Sequence, residues 1–190
     1  MKFKYITLAI LATAALASCK KDEKKVEEVE EAIVEVATPV AQKITFKLAS
    51  KSDSKASGSV VFKEEDGQVN FTAVIGGLAE GMHAIHIHEN ADCSSADGSS
   101  AGGHWNPTNE QHGKWGATEG FHKGDIGNFP ADESGNGTIT MSTDQWCIGC
   151  GDPKKDIVGK AIIVHQGTDD FTSQPSGDAG KRISCGGIIK

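Results

Sequence analysis

Basic side chains are scarce in this chain, 19 against 26 acidic ones over 190 residues. That shortage argues against nucleic acid as a partner, since phosphate backbones are bound by Lys and Arg, and against electrostatic adhesion to anionic lipid. Aromatic residues are few, with one tyrosine and three tryptophans, and there are only five prolines. The apolar run from Tyr5 to Leu16 is too short to span a bilayer as a helix. The 23 glycines follow no collagen-like period, so they read as many tight turns in an all-β domain.

What is present begins with a targeting pattern: Lys2 and Lys4, the apolar run, then small residues. It ends Leu16-Ala17-Ser18-Cys19, which resembles the cleavage box of bacterial lipoproteins, whose cysteine is acylated and becomes the new N-terminus. An ordinary secretory signal with an incidental cysteine is the alternative. The lipoprotein reading makes residues 1–18 a signal peptide and residues 19–43 a lipidated N-terminus followed by a charged tether. Its acyl chains, at about 0.8 kcal/mol per buried CH₂, would hold Cys19 to a membrane. The expected location is a bacterial cell envelope, periplasm or outer membrane. Cleavage removes two lysines and leaves 17 basic against 26 acidic side chains, a net −9. With Cys19 lipidated, Cys93, Cys147, Cys150 and Cys185 remain, and an oxidising compartment permits two disulfides.

From Lys20 to Lys43 the chain is charged, with Val26, Val29, Ile33 and Val36 near helical spacing; a solvated tether is favoured over a short helix. Period-two alternation then takes over at Ile44–Leu48, Gly58–Phe62 and Gln68–Val74, with Asp66-Gly67 as a turn. Further strands are expected at His83–His88, Gly137–Ser142, Ala161–Gln166 and Ile183–Ile189. Such short strands argue for an antiparallel sandwich or barrel over residues 44–190. Between Glu89 and Gly124 lies a long polar loop, of a length usually functional or disordered.

All seven histidines fall between His83 and His165. His86 and His88 are two apart on a strand, so both rings project from one face, about 7 Å apart, and can converge on a metal ion. An exposed strand pair is the plainer explanation. The long loop supplies His104, His112 and His122, with Asp125 one tight turn after the last. Three imidazoles and a carboxylate make a tetrahedral zinc set, although polar loops also carry histidines by chance. His165 ends the apolar run Ala161–Val164 and reads equally as a core histidine bonded to backbone.

Together these motifs resemble the Cu/Zn superoxide dismutase family over roughly Ile44 to Lys190. The residues carrying the resemblance are Gly81-Met-His83-Ala-Ile-His86-Ile-His88, Asp92-Cys93-Ser94, Gly102-Gly-His104-Trp-Asn106-Pro107, His112-Gly113 and Gly124-Asp125-Ile-Gly127-Asn128. Val164-His165, Asp169-Asp170 and Gly177-Asp178-Ala-Gly180-Lys-Arg182-Ile-Ser-Cys185-Gly186 complete it. The resemblance implies a Greek-key, immunoglobulin-like fold and dismutation of superoxide to dioxygen and hydrogen peroxide. It implies one copper on His86, His88, His104 and His165, and one zinc on His104, His112, His122 and Asp125. The shared His104 would be catalytic as bridge and proton donor. Arg182 would be catalytic by drawing in the anionic substrate. Asp169 would tie His86 to His112, and His83 would stand behind the copper ligands. Cys93 and Cys185 would form the family's disulfide.

Only twelve residues separate Asp169 from Arg182, fewer than in typical eukaryotic members, so charged guides found there are expected to be missing. Lys123 and Lys181 are candidate substitutes. Trp146-Cys147-Ile-Gly-Cys150-Gly-Asp152-Pro153 departs from the family pattern. Cys147 and Cys150 could form a local disulfide, a zinc half-site, a redox pair or a dimer contact, and an exported setting favours the disulfide. The sequence leaves monomer and homodimer open.

Overall fold

The computed structural model describes residues 41–190; the expected signal peptide, Cys19 and the expected tether through residue 40 lie outside the described residues. Eight strands follow: β1 (Gln42–Ser50), β2 (Ser57–Glu65), β3 (Gln68–Gly76), β4 (Gly81–His88), β5 (Gly127–Ala131), β6 (Gly137–Thr143), β7 (Ala161–His165) and β8 (Arg182–Gly187). A single 3-10 turn, Ser99–Ala101, interrupts the long loop after β4. The first strand starts two residues before the expected Ile44, because Gln42 and Lys43 already pair with Glu64 and Lys63.

Alternation does the work in β1 to β3. In β3, Val69, Phe71, Ala73 and Ile75 are buried, while Gln68, Asn70 and Val74 face solvent. The β2–β3 hairpin turns at Asp66-Gly67, both at positive φ, as a two-residue turn matched to strand twist requires. The strands close into an antiparallel barrel in the order β1-β2-β3-β6-β5-β4-β7-β8, with β8 pairing back onto β1. The placing of β6 beside β3 and β7 beside β4 gives it crossing, Greek-key connections. Closure leaves no open sheet edge. Strand β5 was not expected from the sequence. It has five residues and contains Pro130, which reads as a strand breaker.

The barrel wall that matters for the site is β4–β7. Ile85, Ile87, Ile162 and Val164 point into the main core with Phe62, Phe71 and Phe129. On the opposite face Ala161, Ile163 and Cys185 pack against Ala101 of the long loop, so β7 is buried on both faces. This explains why Ala161–Val164 is continuously apolar rather than alternating.

Both disulfides are formed. Cys93–Cys185 fastens the long loop to β8 with Cα atoms 5.8 Å apart and a sequence separation of 92. Cys147–Cys150 closes the short loop after β6, so the local pairing is the alternative that holds. Replacing both Cys93 and Cys185 with serine is expected to lower unfolding free energy by roughly 4.5 kcal/mol, from the loop entropy released. Denaturant titration of the oxidised wild type against the double variant checks this.

Candidate metal centre

Strand β4 delivers His86 and His88 to the outer face of the barrel wall, as their spacing predicts. The loop histidines arrive because the loop backbone continues the sheet beyond the end of β4. Trp105 N donates to Ile87 O (2.8 Å), Ile87 N to Gly124 O (2.9 Å), and Gly124 N to Trp105 O (3.0 Å). Three segments thus exchange backbone bonds at one point, which brings His104, His122 and Asp125 beside the strand pair. Gly124 is needed there, since a Cβ would stand 2.2 Å from Ile87 O. His165 follows a register shift in the β7–β8 ladder, a local irregularity of the kind that re-aims a side chain.

Two clusters result. The ligand atoms of His86, His88, His104 and His165 lie within 4.8 Å of one another, and so do those of His104, His112, His122 and Asp125. His104 belongs to both. All seven residues are buried. The His86 and His104 ring centroids are 4.0 Å apart.

Hydrogen bonding at one ring nitrogen leaves the other free. His86 Nε2 donates to Asp169 Oδ2 (2.9 Å), His88 Nδ1 to Gly102 O (3.0 Å), His165 Nδ1 to Gly180 O (3.3 Å) and His112 Nε2 to Asp169 Oδ1 (2.8 Å). The opposite nitrogens, His86 Nδ1, His88 Nε2, His165 Nε2 and His112 Nδ1, are buried without a hydrogen-bond partner, as are His104 Nε2 and His122 Nδ1. An unpaired buried polar atom is costly. Six of them converging on two points is the arrangement a pair of cations satisfies. His112 Nδ1 and His122 Nδ1 lie 3.0 and 3.2 Å from Asp125 oxygens without hydrogen-bond geometry, as donors aimed at a common centre do.

Asp169 therefore joins one ring of each cluster, His86 and His112. It is held in turn by Asn128, which donates to Asp169 O and accepts from Asp169 N, both at 2.8 Å. The sequence gives no hint of this role for Asn128. Gly177, at φ +69°, lies so close that a Cβ would overlap Asp169 Oδ1. His83 stands behind the cluster, with Nδ1 2.9 Å from His165 O and Nε2 2.9 Å from Ala79 O.

The first cluster opens on a cleft of about 450 Å³ lined by His88, His104 and His165, with Arg182 and Glu89 among its other walls. Arg182 Nη1 donates to Gly98 O (2.9 Å), which sets the guanidinium at the rim. Neither Lys123 nor Lys181 reaches this cleft. Lys123 bonds Gln145 and Lys181 lines a separate hollow beside His83. Glu89 was not anticipated from the sequence.

Burial holds His86, His88 and His165 below the ordinary imidazole range and lowers His104 to about 4. Neutral imidazole is the form that binds metal. Burial also opposes charge on His112, but Asp125 and Asp169 outweigh it and raise that ring to about 9. In the metal-free chain the four depressed rings refuse protons that the unfolded chain takes up below pH 6.5, so stability falls as pH drops from 6.5 toward 4. The His112 contribution has the opposite sign: it is fully present below pH 6.5 and is lost as pH rises through 9. Metal-free Tm is therefore expected to peak near neutrality; a flat profile from pH 4 to 6.5 would contradict this assignment.

Against known proteins, the family described as copper/zinc superoxide dismutase (SODC) matches residues 56–188. Superoxide dismutase Cu-Zn 2 of Aquifex aeolicus is 36% identical over 138 residues, 69% of this chain and 80% of that protein. Superoxide dismutase Cu-Zn 1 of the same organism is 40% identical over 111 residues, 56% of this chain and 63% of that one. The extracellular Cu-Zn superoxide dismutase of Caenorhabditis elegans is 32% identical over 146 residues, 74% and 64%. Among solved structures, a double mutant of a SOD-like protein from Bacillus subtilis superposes with a TM-score of 0.69 at 31% identity, covering 77% of this chain and 97% of its own. The clock protein EA4 gives 0.64 at 32%, covering 75% and 94%. Sequence, barrel and paired donor clusters agree, and the chain belongs to the copper/zinc superoxide dismutase family.

Proposed function

We propose that the chain converts superoxide to dioxygen and hydrogen peroxide, with one copper and one zinc per chain. The observation that carries this reading is the sharing of His104 between two buried donor sets whose converging ring nitrogens, apart from the Asp125-bound Nδ1 of His104, lack partners. Four imidazole nitrogens from His86, His88, His104 and His165 suit copper(II), and three imidazoles with the Asp125 carboxylate suit zinc(II). Copper, when bound, supplies one-electron chemistry: an electron taken from one superoxide, released as dioxygen, passes to a second, which leaves with two protons as hydrogen peroxide.

The chain's own residues do the rest. His104 Nε2 faces the first cluster and Nδ1 the second, so a ring held at Nδ1 can carry a proton at Nε2 and deliver it to reduced substrate. Asp169 fixes the tautomers of His86 and His112 and so keeps their lone pairs directed inward. Arg182 supplies local positive potential in a chain whose net charge otherwise repels an anion. Two disulfides support an oxidising compartment. With the Cys19 motif they favour a bacterial cell envelope, with the chain anchored through lipid in the periplasm or outer membrane. A homodimer is compatible with this reading and carries no part of it.

Superoxide consumption by the full chain, with copper and zinc measured on the same sample, tests the proposal. Near one of each metal is expected, with turnover lost on copper removal. Arg182→Ala is expected to keep both metals and lower kcat/KM about ten-fold, with a weaker dependence on salt. Both metals bound with no accelerated superoxide decay would instead support a copper-binding module.

A further inference from the structure

We infer that Gln174 is a positioning residue for His112; the inference rests on the zinc reading above. His112 N donates to Gln174 Oε1 (2.9 Å), and Gln174 Nε2 donates to His112 O (2.9 Å). The side-chain amide thus engages the backbone of His112 with the paired N–H and C=O exchange of neighbouring antiparallel strands. The ring nitrogen Nε2 is held by Asp169. Every polar atom of His112 but one is therefore committed to a single stretch, residues 169–174. The remaining atom is Nδ1, the donor of the second cluster.

That stretch is itself braced. Asp169 Oδ1 also accepts from Phe171 N (2.7 Å), Asp170 Oδ1 accepts from Thr172 N and Ser173 N (both 2.8 Å), and Gly177 N donates to Ser173 O (2.7 Å). Gln174 is consequently presented from a tight turn rather than from a free loop. The next two residues, Pro175 and Ser176, line the anion cleft. One exposed glutamine thereby joins the backbone of a zinc-side histidine to the wall past which substrate travels. Asp169 orients the ring; Gln174 sets where its backbone stands.

Gln174 is exposed, so its replacement leaves the barrel core untouched. The test compares full-length wild type, Gln174→Ala and Gln174→Glu, each loaded with copper and zinc. The glutamate keeps an acceptor for His112 N but sets a second oxygen against His112 O. Both variants are expected to release zinc to a chelator about ten-fold faster than wild type, as loss of a ligand's supporting partner commonly does. Copper content and metal-free Tm should stay at wild-type values. Cobalt(II) placed at the zinc position should show an altered visible spectrum in both variants. Unchanged zinc release from a wild type and variant that both bind zinc would overturn the inference alone. Equal loss of both metals with a lowered metal-free Tm would overturn it in favour of a general structural role. A wild-type chain that takes up no zinc would overturn the metal reading and this inference with it.

Discussion

Six imidazoles and two carboxylates are packed against the outer face of a β-barrel wall, and six of the ring nitrogens there have no hydrogen-bond partner. Burial of polar atoms on that scale is unfavourable unless something compensates it. The rest of the architecture is arranged around that constraint. Carbonyls and carboxylates satisfy one nitrogen of each ring in the first cluster, and their positions dictate which nitrogen is left to converge. His104 differs from the others in that the carboxylate it meets, Asp125 at 2.8 Å from Nδ1, itself belongs to the second cluster. The neutral, inward-pointing rings are thus a consequence of where Gly102, Gly180 and Asp169 stand. In the proposed reading, copper and zinc supply the missing compensation, so metal binding and the stability of this face of the barrel are one property.

The elements that hold the donors are of two kinds. His86, His88 and His165 come from strands and inherit the rigidity of the barrel wall. His104, His112, His122 and Asp125 come from a long loop that must be fixed by other means. Its start is fastened by the Cys93–Cys185 disulfide, and its middle is stitched to the end of β4 by backbone bonds through Trp105 and Gly124. Its far side is braced by the short loop after β6, where Trp146 Nε1 donates to Lys123 O (2.9 Å), next to His122. The Cys147–Cys150 disulfide sits immediately beside Trp146, which gives that departure from the family pattern a structural place.

Much of this was readable before the fold was known, and for identifiable reasons. The His86/His88 pair follows from strand periodicity, and Asp125 from one tight turn after His122. Seven of the eight strands carried alternating or apolar runs. Strand β5 did not, because Pro130 interrupts a segment of five residues. The convergence of His104 and His112 with the strand histidines depends on contacts between distant segments, which spacing alone cannot encode; the family resemblance supplied it. Gln174, Glu89 and the role of Asn128 were invisible because each acts through backbone or cleft geometry that only the closed loops create. Lys123 shows the converse error: it stands next to His122 in sequence, yet its side chain turns away toward Gln145.

The central claim is that one imidazole, His104, is common to two metal positions. The most direct test loads copper(II) into both positions of the full chain and records the electron paramagnetic resonance spectrum. A ring bridging the two ions couples their spins, so the account predicts a signal far below that of two independent copper(II) ions. Two full-intensity, uncoupled signals would contradict it.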